Sequence, residues 1–371
     1  MRIAMVTKGM LLGYGIDEVV HILSREMTRL GHEVTVITTR REIQPEGYRT
    51  VELKPLVIPP SNSYWQTHFL PDFRLAIPTI RTLKNYDTLV TFDPMHLIGA
   101  IAKLTRRVPV VMYYFGIVPA RVLDSLTRKI ESTRQILVWN ASFALADCIM
   151  TNSKYTKGLI PKCFVSKAVV NYHGIDHMVN QNTQKTKEFR ETLNIRGKKL
   201  LLSVGRFSSP YKDMKGMVKI FNRLKSRVKD IALILVGRGS LREVETFGLL
   251  EDIFVLTNIP NEMLKMCFAS CDVYCSASRW EGFNIPLVAA QANGKPVVAY
   301  EVGAHSEVVV DKKTGFLAKN ARDFEGHLEI LIQDDRLRKK MERRAAEHAK
   351  KFSWDSSIKL FEDAIKKVSG L

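Results

Sequence analysis

The chain has 371 residues and a formal net charge of +18 at pH 7, with 46% hydrophobic and 25% charged residues. That length predicts two or three domains of about 150 residues, each large enough to bury a core of its own. All apolar runs fall short of the roughly 18 residues that a membrane span requires, and no signal-peptide pattern follows Met1, so we expect a cytoplasmic protein.

The positive charge is spread along the chain and indicates an acidic partner. Residues 1–180 carry 22 Lys and Arg against 14 Asp and Glu, and the remainder carries 34 against 24. Anionic lipid headgroups and sugar phosphates fit such a charge. No nucleic-acid partner is expected, because the chain has no zinc-finger, RNP-like or basic helix–turn–helix motif.

The cysteines favour buried thiols over a metal site. There are five of them, an odd number that is typical of reduced thiols in the cytoplasm. Cys267, Cys271 and Cys275 are evenly spaced, but their run crosses from a predicted helix into a predicted strand. Because a metal site would need the three thiols on one face, we predict that they are buried and bind no metal.

The amino-terminal region alternates strand and helix patterns. Arg2–Thr7 is predicted as a strand, a helix of apolar residues at helical spacing ends at Gly31, and Glu33–Thr38 is the next strand. This strand–helix–strand unit predicts the first crossover of a doubly wound parallel sheet. The loop before the helix carries Gly13 and Gly15, whose lack of a side chain permits close approach of the backbone to a ligand.

The same two glycines resemble part of a dinucleotide fingerprint. The third glycine position of that fingerprint holds Glu18, and Arg40 follows the second strand, so the alternative that these residues leave open is an NADP-dependent oxidoreductase. A fluorescence titration with nicotinamide nucleotides would decide it.

Further strands of the same sheet are predicted downstream. Trp65–Lys84 differs from them, because its apolar residues at helical spacing alternate with basic ones and predict an amphipathic helix. That helix either packs on the sheet or contacts lipid. His96 follows one of the predicted strands in the chain, and it either caps a helix or approaches a binding cleft. The predicted strands are Leu89–Phe92, Pro109–Tyr113 and Ala146–Thr151.

A second series of strands and helices begins after a polar segment, Asn180–Lys187, which is typical of a linker. Strand Leu200–Val204 is followed by Arg206 and by a loop that reaches Lys212. Strand Ile231–Val236 runs into a Gly-Arg-Gly turn. Because both cations follow the end of a strand, a role in binding an anion is favoured over a purely solvated position.

The most informative segment is Ser278–Val298, with the sequence S-R-W-E-G-F-N-I-P-L-V-A-A-Q-A-N-G-K-P-V-V. It connects strand Asp272–Ala277 to helix Ile285–Ala292 and strand Val297–Tyr300. The carboxylate of Glu281 is able to accept two hydroxyl hydrogen bonds in fixed directions, as polyol recognition needs. Unpaired amides at the start of the helix attract phosphate. Polyol and phosphate recognition in one loop indicate a nucleotide sugar as ligand.

This segment resembles the donor-sugar motif of retaining glycosyltransferases with the GT-B fold, in the group 1 family that includes bacterial mannosyltransferases and sucrose synthases. The family pattern is roughly E-G-F-G-x-x-x-x-E-A-x-A-x-G-x-P-V-V, and its second glutamate, which contacts the nucleotide ribose, falls on Ala289. Arg206 and Lys212 are similar to the family's V-G-R element with its loop lysine. Val255–Pro260 falls at its nucleobase-facing loop, and Asp311–Phe316 resembles one of its hairpins. The matching residues of the donor-sugar motif are Glu281, Gly282, Phe283, Ala290, Ala292, Gly294, Pro296, Val297 and Val298.

The resemblance covers nearly the whole chain and implies an α/β protein with two Rossmann-like, doubly wound domains that face each other across a cleft. It predicts an acceptor-side domain at residues 1–176, a linker at 177–197 and a nucleotide-sugar-binding domain at 198–350. A carboxyl-terminal helix at 351–371 is expected to cross back onto the first domain.

The resemblance also implies roles for individual residues. Arg206 and Lys212 would hold the donor diphosphate in place of a metal ion, and Glu281 would bind donor hydroxyls; these three are the predicted catalytic residues. Phe115 stands where relatives carry a histidine that contacts the donor sugar. The predicted donor-binding residues are Gly13, Gly15, Phe283, Asn284, Ile285, Asn258 and Ile259, and the candidates for the acceptor or the cleft are His96, Tyr114 and Phe115.

The function implied is transfer of a hexose from a UDP- or GDP-linked donor to a glycan or lipid-linked acceptor, with retention and without metal or cofactor. The basic charge predicts an anionic membrane as a further partner, with the enzyme peripheral at its inner face. The alternative is a non-catalytic sugar-nucleotide-binding protein on a decayed transferase fold, which Ala289 and Phe115 favour. Release of nucleoside diphosphate from a donor would exclude that alternative.

Overall fold

The computed structural model describes residues 1–53, 73–123, 125–180, 182–193, 195, 197–239 and 252–371. Residues 65–72 of the predicted amphipathic segment Trp65–Lys84 lie outside that set. The chain divides into two compact units. The first comprises Met1–His173 and Asp355–Leu371, and the second comprises Gly174–Trp354.

The first unit is built on a parallel sheet of seven strands, counted within the described residues. They are β1 (Arg2–Val6), β2 (Glu33–Thr38), β3 (Arg49–Glu52), β4 (Thr88–Phe92), β5 (Val110–Tyr114), β6 (Cys148–Thr151) and β7 (Ala168–Val170). Their order is β3-β2-β1-β4-β5-β6-β7, and every neighbouring pair is parallel. The central strands β4 and β5 are buried at every residue, as expected where helices cover both faces of a sheet.

The second unit repeats this plan with six parallel strands in the part of the chain that the structure describes. They are β8 (Lys199–Val204), β9 (Ile231–Gly237), β10 (Ile253–Thr257), β11 (Val273–Ser276), β12 (Val297–Tyr300) and β13 (Gly315–Ala318). Their order is β10-β9-β8-β11-β12-β13. Both sheets therefore have the strand order of a doubly wound Rossmann-like domain, which confirms the predicted fold of each unit.

Helices connect the strands of both sheets. The last of them, α13, begins at Trp354, and its residues from Asp355 onward belong to the first unit. None of the helices in the described ranges is both long and apolar enough to span a membrane. They are α1 (Gly15–Arg29), α2 (Phe73–Thr82), α3 (His96–Arg106), α4 (Leu126–Leu145), α5 (Lys154–Gly158), α6 (Thr183–Thr192), α7 (Met214–Lys225), α8 (Asn261–Ser270), α9 (Ile285–Ala292), α10 (His305–Val308), α11 (Ala321–Gln333), α12 (Asp335–Ala349) and α13 (Trp354–Ser369).

The sequence explains which face of α1 is buried and where the helix ends. Its buried residues include Val19, Leu23 and Met27, which follow one another at intervals of four residues and form one apolar stripe. Gly31 then adopts a φ of +86°, in the left-handed region that glycine enters without steric cost. The predicted stop of this helix at Gly31 is confirmed.

Several predicted elements agree with the structure residue for residue. They are strands Glu33–Thr38 and Val297–Tyr300 and helix Ile285–Ala292. The predicted linker at 177–197 contains helix α6, which the polar composition of that stretch did not reveal. The Asn182 side chain accepts the backbone N–H of Lys185 at 3.0 Å and caps this helix at its start.

Two predicted elements were partly wrong. Val255–Pro260 was expected to be a loop, but its first three residues belong to β10 and pair in parallel with β9. Asp311–Phe316 was expected to be a hairpin, but it forms a tight turn with one isolated bridge between Asp311 and Gly315. Pairing in the sheet sets both bounds, because Thr257 still pairs with β9 and Gly315 already pairs with β12.

One hydrophobic cluster of the second unit joins its sheet to helices α7, α11 and α12. Cys267, Cys271 and Cys275 are buried free thiols, as predicted; the first lies in α8, the second directly follows that helix and the third lies in β11. Burial raises the pKa of Cys267 and of Cys271 to about 12. Among the described residues, no group of three or more His, Cys, Asp or Glu side chains is arranged to hold a metal ion.

Candidate functional site

Two loops of the second unit leave neighbouring strands at the point where the strand order of the sheet reverses. One follows β8 and carries Arg206 and Lys212, and the other follows β11 and carries Glu281. Ligands of doubly wound sheets bind in the crevice beyond the carboxyl ends of two such strands. The fold therefore brings all three predicted catalytic residues to the end of the sheet where a ligand is expected.

An ion pair joins the two loops. Lys212 Nζ lies 2.6 Å from Oε1 of Glu281, and the two side chains are only 14% and 7% exposed. The backbone N–H of Arg279 donates to the carbonyl oxygen of Tyr211 at 2.7 Å, and Arg279 Nε donates to the Asp213 carboxylate at 2.9 Å. These contacts fix the loops against each other. They hold one negative and one positive group together where little water screens them.

The Arg206 guanidinium lies beside an aromatic pair. Its Nη2 donates a 2.6 Å hydrogen bond to the Tyr211 hydroxyl, and its central carbon is 5.9 Å from the centroid of that ring. The Tyr211 ring meets Trp280 edge to face at 5.7 Å. Sequence reasoning missed both aromatic residues. In the sequence, Tyr211 directly precedes Lys212 and Trp280 directly precedes Glu281. This proximity to predicted site residues could have indicated them, although the sequence does not show that the two rings are in contact.

Glycine lets the last residue of β9, Gly237, lie close to the backbone of the loop after β8. A Cβ atom on Gly237 would lie 1.9 Å from the carbonyl oxygen of Gly205, so another residue would have to displace that carbonyl. The backbone N–H of Asn258 donates to the Gly237 carbonyl at 3.0 Å, and its side-chain amide donates to the Gly239 carbonyl at 3.1 Å. The predicted donor-binding residues Asn258 and Ile259 therefore lie at the same carboxyl end of the sheet as the ion pair.

The predicted phosphate-binding residues lie at the start of α9. Asn284 is the N-cap, with φ 68° and ψ 69°, and its side-chain oxygen accepts the backbone N–H of Leu287 at 3.3 Å. Ile285, the first helical residue, is half-buried. The Phe283 ring is buried and meets Phe352 edge to face at 5.5 Å, so its side chain has a packing role. The backbone amides of Phe283, Asn284 and Ile285 directly follow Glu281 and Gly282 in the chain.

Ala289, where the family pattern has its second glutamate, is fully buried in α9. Its carbonyl oxygen accepts the backbone N–H and the side-chain amide of Asn293, at 3.1 and 2.8 Å. A glutamate at this position would begin in a site without solvent contact, and burying a carboxylate there would be costly. The small alanine side chain fits the surrounding packing.

In the first unit, the strand order reverses between β1 and β4. The loop after β1 leads to Gly13, whose φ is +74°, and to Gly15 at the start of α1. The carboxylate of Asp17 accepts the backbone N–H of Leu11 at 2.8 Å and fixes this loop. Burial lowers the pKa of Lys8 in the same loop to about 8, although the charge of Asp17 opposes the shift. The two predicted glycines thus follow the strand at which this sheet reverses.

His96, the first residue of α3, is 1% exposed and belongs to a buried polar network. Its Nδ1 lies 3.1 Å from Thr91 Oγ1, and its Nε2 bonds the Asp93 carboxylate. The second oxygen of Asp93 accepts the backbone N–H of Phe115 at 3.1 Å. Burial raises the pKa of Asp93, and the charge of His96 opposes that shift. The network ties the loop after β4 to the loop after β5; a contact of His96 with an acceptor stays a prediction.

Tyr114 and Phe115, the remaining acceptor candidates, are also buried. Tyr114 packs edge to face on Trp139 at 5.3 Å and on Phe143 at 5.2 Å. The Phe115 ring stacks on Tyr113 with 4.9 Å between centroids. These contacts give both rings a packing role in the first unit, and their part in acceptor binding stays a prediction.

Two family models match the chain. The model of Glycosyltransferase Family 4 matches residues 14–178, and the model of Glycosyl transferases group 1 matches residues 184–348. Among curated proteins, an uncharacterised glycosyltransferase of Methanocaldococcus jannaschii is 26% identical over 271 residues, which span 71% of this chain and 70% of the relative. The two matched ranges leave few residues of the chain uncovered.

Solved structures with the same arrangement of elements include a sucrose-phosphate synthase and HepE of Anabaena. Sucrose-phosphate synthase from Thermosynechococcus elongatus superposes with a TM-score of 0.83 at 17% identity, over 99% of this chain and 98% of that one. Anabaena HepE in complex with UDP-glucose superposes with a TM-score of 0.79 at 17% identity, over the whole of both chains. At these identities the likeness shows the fold. From the family models and the fold together, the chain belongs to the group 1 glycosyltransferases and has their GT-B fold.

Proposed function

We propose that this glycosyltransferase transfers a hexose from a UDP- or GDP-linked donor, with retention of configuration and without a metal ion. The observation that carries the proposal is the poorly solvated ion pair of Lys212 and Glu281 at the reversal of the second sheet. A nucleotide sugar offers a diphosphate to the cation and hydroxyl groups to the carboxylate. The complex of Anabaena HepE with UDP-glucose supports a donor of this class.

In this proposal the residues of the two loops share the work. Arg206 and Lys212 bind the donor diphosphate, so that their charges stabilise the nucleoside diphosphate as it leaves. Glu281 accepts hydrogen bonds from hydroxyls of the donor sugar, and the backbone amides of Phe283, Asn284 and Ile285 face phosphate or sugar oxygens. The bond from the anomeric carbon to the β-phosphate oxygen breaks, and the acceptor oxygen bonds that carbon on the same face. The departing β-phosphate takes the acceptor's proton, so that no protein general base is needed.

The acceptor in this proposal is a glycan or a lipid-linked sugar, presented at an anionic membrane to which the protein binds peripherally. The net charge of +18 supports a negatively charged partner of this kind. A second candidate function is sugar-nucleotide binding without transfer. Two observations favour it: Ala289 stands where the family pattern has a glutamate, and Phe115 stands where relatives have a histidine.

The experiment that tests the proposal is a screen of purified protein for release of nucleoside diphosphate from UDP- and GDP-sugars. At least one donor should be turned over, and Arg206→Ala should slow turnover about 100-fold or more, the effect of losing one charge contact in the transition state. Arg223→Ala is the matched control, because this arginine bonds Glu325 on the surface between α7 and α11. Its turnover should stay near the natural value.

Two further arms of the screen distinguish the alternatives. EDTA should change the rate little, and strong inhibition by EDTA would overturn the metal-independent mechanism. A protein that binds a nucleotide sugar in calorimetry, yet releases no nucleoside diphosphate with any donor, would be the non-catalytic binder.

A further inference from the structure

A chain of buried polar groups runs behind the loop that carries Glu281. The amide nitrogen of Asn284 donates to Ser276 Oγ at 3.1 Å and to His305 Nε2 at 2.8 Å. Ser276 Oγ donates to Ser278 Oγ at 3.2 Å. Asn284 is 5% exposed and His305 is fully buried. Buried polar groups that bond one another in this way fix a single arrangement of the backbone around them.

The bonds of His305 determine its tautomer. Its Nδ1 lies 2.6 Å from the carbonyl oxygen of Tyr300, and a carbonyl oxygen is only an acceptor, so Nδ1 carries the proton. Nε2 of the neutral ring is then the acceptor for the amide of Asn284. A second proton on Nε2 would point at that amide and set two donors against each other.

Asn284 needs such support because of its backbone. Its φ of 68° lies in the left-handed region, which glycine enters freely and asparagine tolerates better than most residues. The family pattern has glycine at this position. Here the side chain of Asn284 accepts the N–H of Leu287 and donates to Ser276 and His305, so its three bonds hold the turn that a glycine would leave unbonded.

The segment before His305 holds the other end of the same loop. The backbone N–H of Ala304 donates to the carbonyl oxygen of Glu281 at 3.0 Å. A Cβ atom on Gly303, whose φ is +55°, would lie 2.1 Å from that oxygen. Residues 303–305 therefore contact the loop at both Glu281 and Asn284, which makes them a support for the whole turn.

We propose that Asn284 and His305 are positioning residues that hold the loop from Glu281 to Ile285 in its donor-binding form, and that protonation of His305 releases it. Protonated His305 would force the Asn284 amide to rotate, and Asn284 would lose its bond to Leu287 N or to Ser276. The α9 cap and the position of Glu281 would loosen together. This inference rests on the proposed function for its link to a donor, although the conformational part stands without one.

The electrostatic surroundings set the direction of the pH dependence. Burial lowers the pKa of His305 most, the carboxylate of Glu281 and the hydrogen bond to Tyr300 O raise it, and the charge of Lys212 lowers it further. The net shift is downward from the ordinary value of 6.5. The neutral, bonded form is therefore present at neutral pH, and the loop is released only as the pH falls below 6.5 through the lowered pKa.

The experiment is hydrogen exchange of the peptide covering the start of α9, measured from pH 7.5 to pH 4.5 and corrected for intrinsic exchange. The natural protein should lose protection there as the pH falls. His305→Gln, which keeps an acceptor but no longer titrates, should show a flat profile. His327→Gln is the matched control, because this histidine stacks on Phe316 away from the loop and its pKa is lowered as well. The control should follow the natural protein.

A second arm tests the link to the donor. Asn284→Gly permits the left-handed backbone but removes the side-chain bonds, so protection should be low at every pH and donor affinity in calorimetry should fall about tenfold. The proposal would be overturned if protection in His305→Gln falls with pH as it does in the natural protein. His305→Gln alone decides this outcome, and it is a mild substitution. Loss of protection in Asn284→Gly with unchanged donor affinity would overturn the link to donor binding. Failure of every nucleotide sugar to bind would instead count against the proposed function, because the exchange measurements need no donor.

Discussion

Lys212 and Glu281 form an ion pair with little exposure to solvent. The stability of the protein should therefore fall when one of the two charges is removed. Replacing Lys212 with Met would leave the Glu281 carboxylate buried and uncompensated. Because breaking a buried pair costs more than removing it, we expect a loss of about 3 kcal/mol in the free energy of unfolding. Adding Glu281→Gln to that variant should restore most of this stability but not turnover. Denaturant unfolding of the single and double variants measures the effect.

The matched control for this prediction is Lys215→Met. Lys215 is an exposed lysine three residues further along, on α7, and its substitution should change the stability little. A loss for Lys215→Met as large as that for Lys212→Met would show that the ion pair is not the cause.

At the residue scale, the sequence reveals functional groups that belong to a short linear pattern. Arg206, Lys212 and Glu281 each follow a strand within a segment that resembles a family motif, so they could be named in advance. His305 could not, because its partner Asn284 is 21 residues away and only the return of the chain through β12 brings the two together. Tyr211 was missed for the same reason, since its ring contact is made by the neighbouring strand's loop.

At the element scale, helix α4 carries apolar residues on two sides, and only one side is buried. Trp139 is 3% exposed and packs on Tyr114, whereas Leu137, two residues earlier, is 68% exposed. We expect Trp139→Ala to lower the free energy of unfolding by about 3–5 kcal/mol through the cavity that it creates. Leu137→Ser should change it by no more than about 0.5 kcal/mol. Urea unfolding followed by circular dichroism compares the two, and similar losses would contradict the burial that separates them.

Element boundaries were predictable wherever the local pattern and the sheet agree. Glu33–Thr38 has the β-branched composition of a strand, and it pairs with β1 from Glu33 to Ile37. The family resemblance places Val255–Thr257 in a loop, whereas the apolar, β-branched composition of this segment is typical of a strand. Pairing with β9 extends the strand through Thr257. Local composition would have been the better guide at this edge of the sheet.

At the scale of the whole molecule, the alternation of strand and helix patterns predicts a doubly wound sheet in the first unit, and the family resemblance indicates the second such sheet. The place of the last helix rests on contacts that no local pattern contains. His32 Nε2 lies 2.9 Å from the Glu362 carboxylate, across 330 residues of sequence. The side-chain amide of Asn171 donates to the carbonyl of Ser357 at 3.2 Å. Such contacts place Asp355–Leu371 in the first unit. In the sequence, only the family resemblance indicates that the last helix returns to this unit.

The net charge of +18 is also a property of the whole molecule, and it leads to the last prediction. If the acceptor is presented at an anionic membrane, vesicles of anionic lipid should sediment the protein at low salt. Each lysine or arginine near such a surface contributes about 1 kcal/mol, and that attraction is screened within about 10 Å at 0.1 M salt. Bound protein should therefore fall steadily as salt rises from 0.02 to 0.5 M (about 20 to 4 Å of screening length). Arg206→Ala should bind the vesicles as the natural protein does, because this arginine is held by Tyr211 at the donor loops. Equal sedimentation with neutral vesicles, or no sedimentation with either kind, would contradict binding to an anionic membrane. A soluble glycan would then be the favoured acceptor.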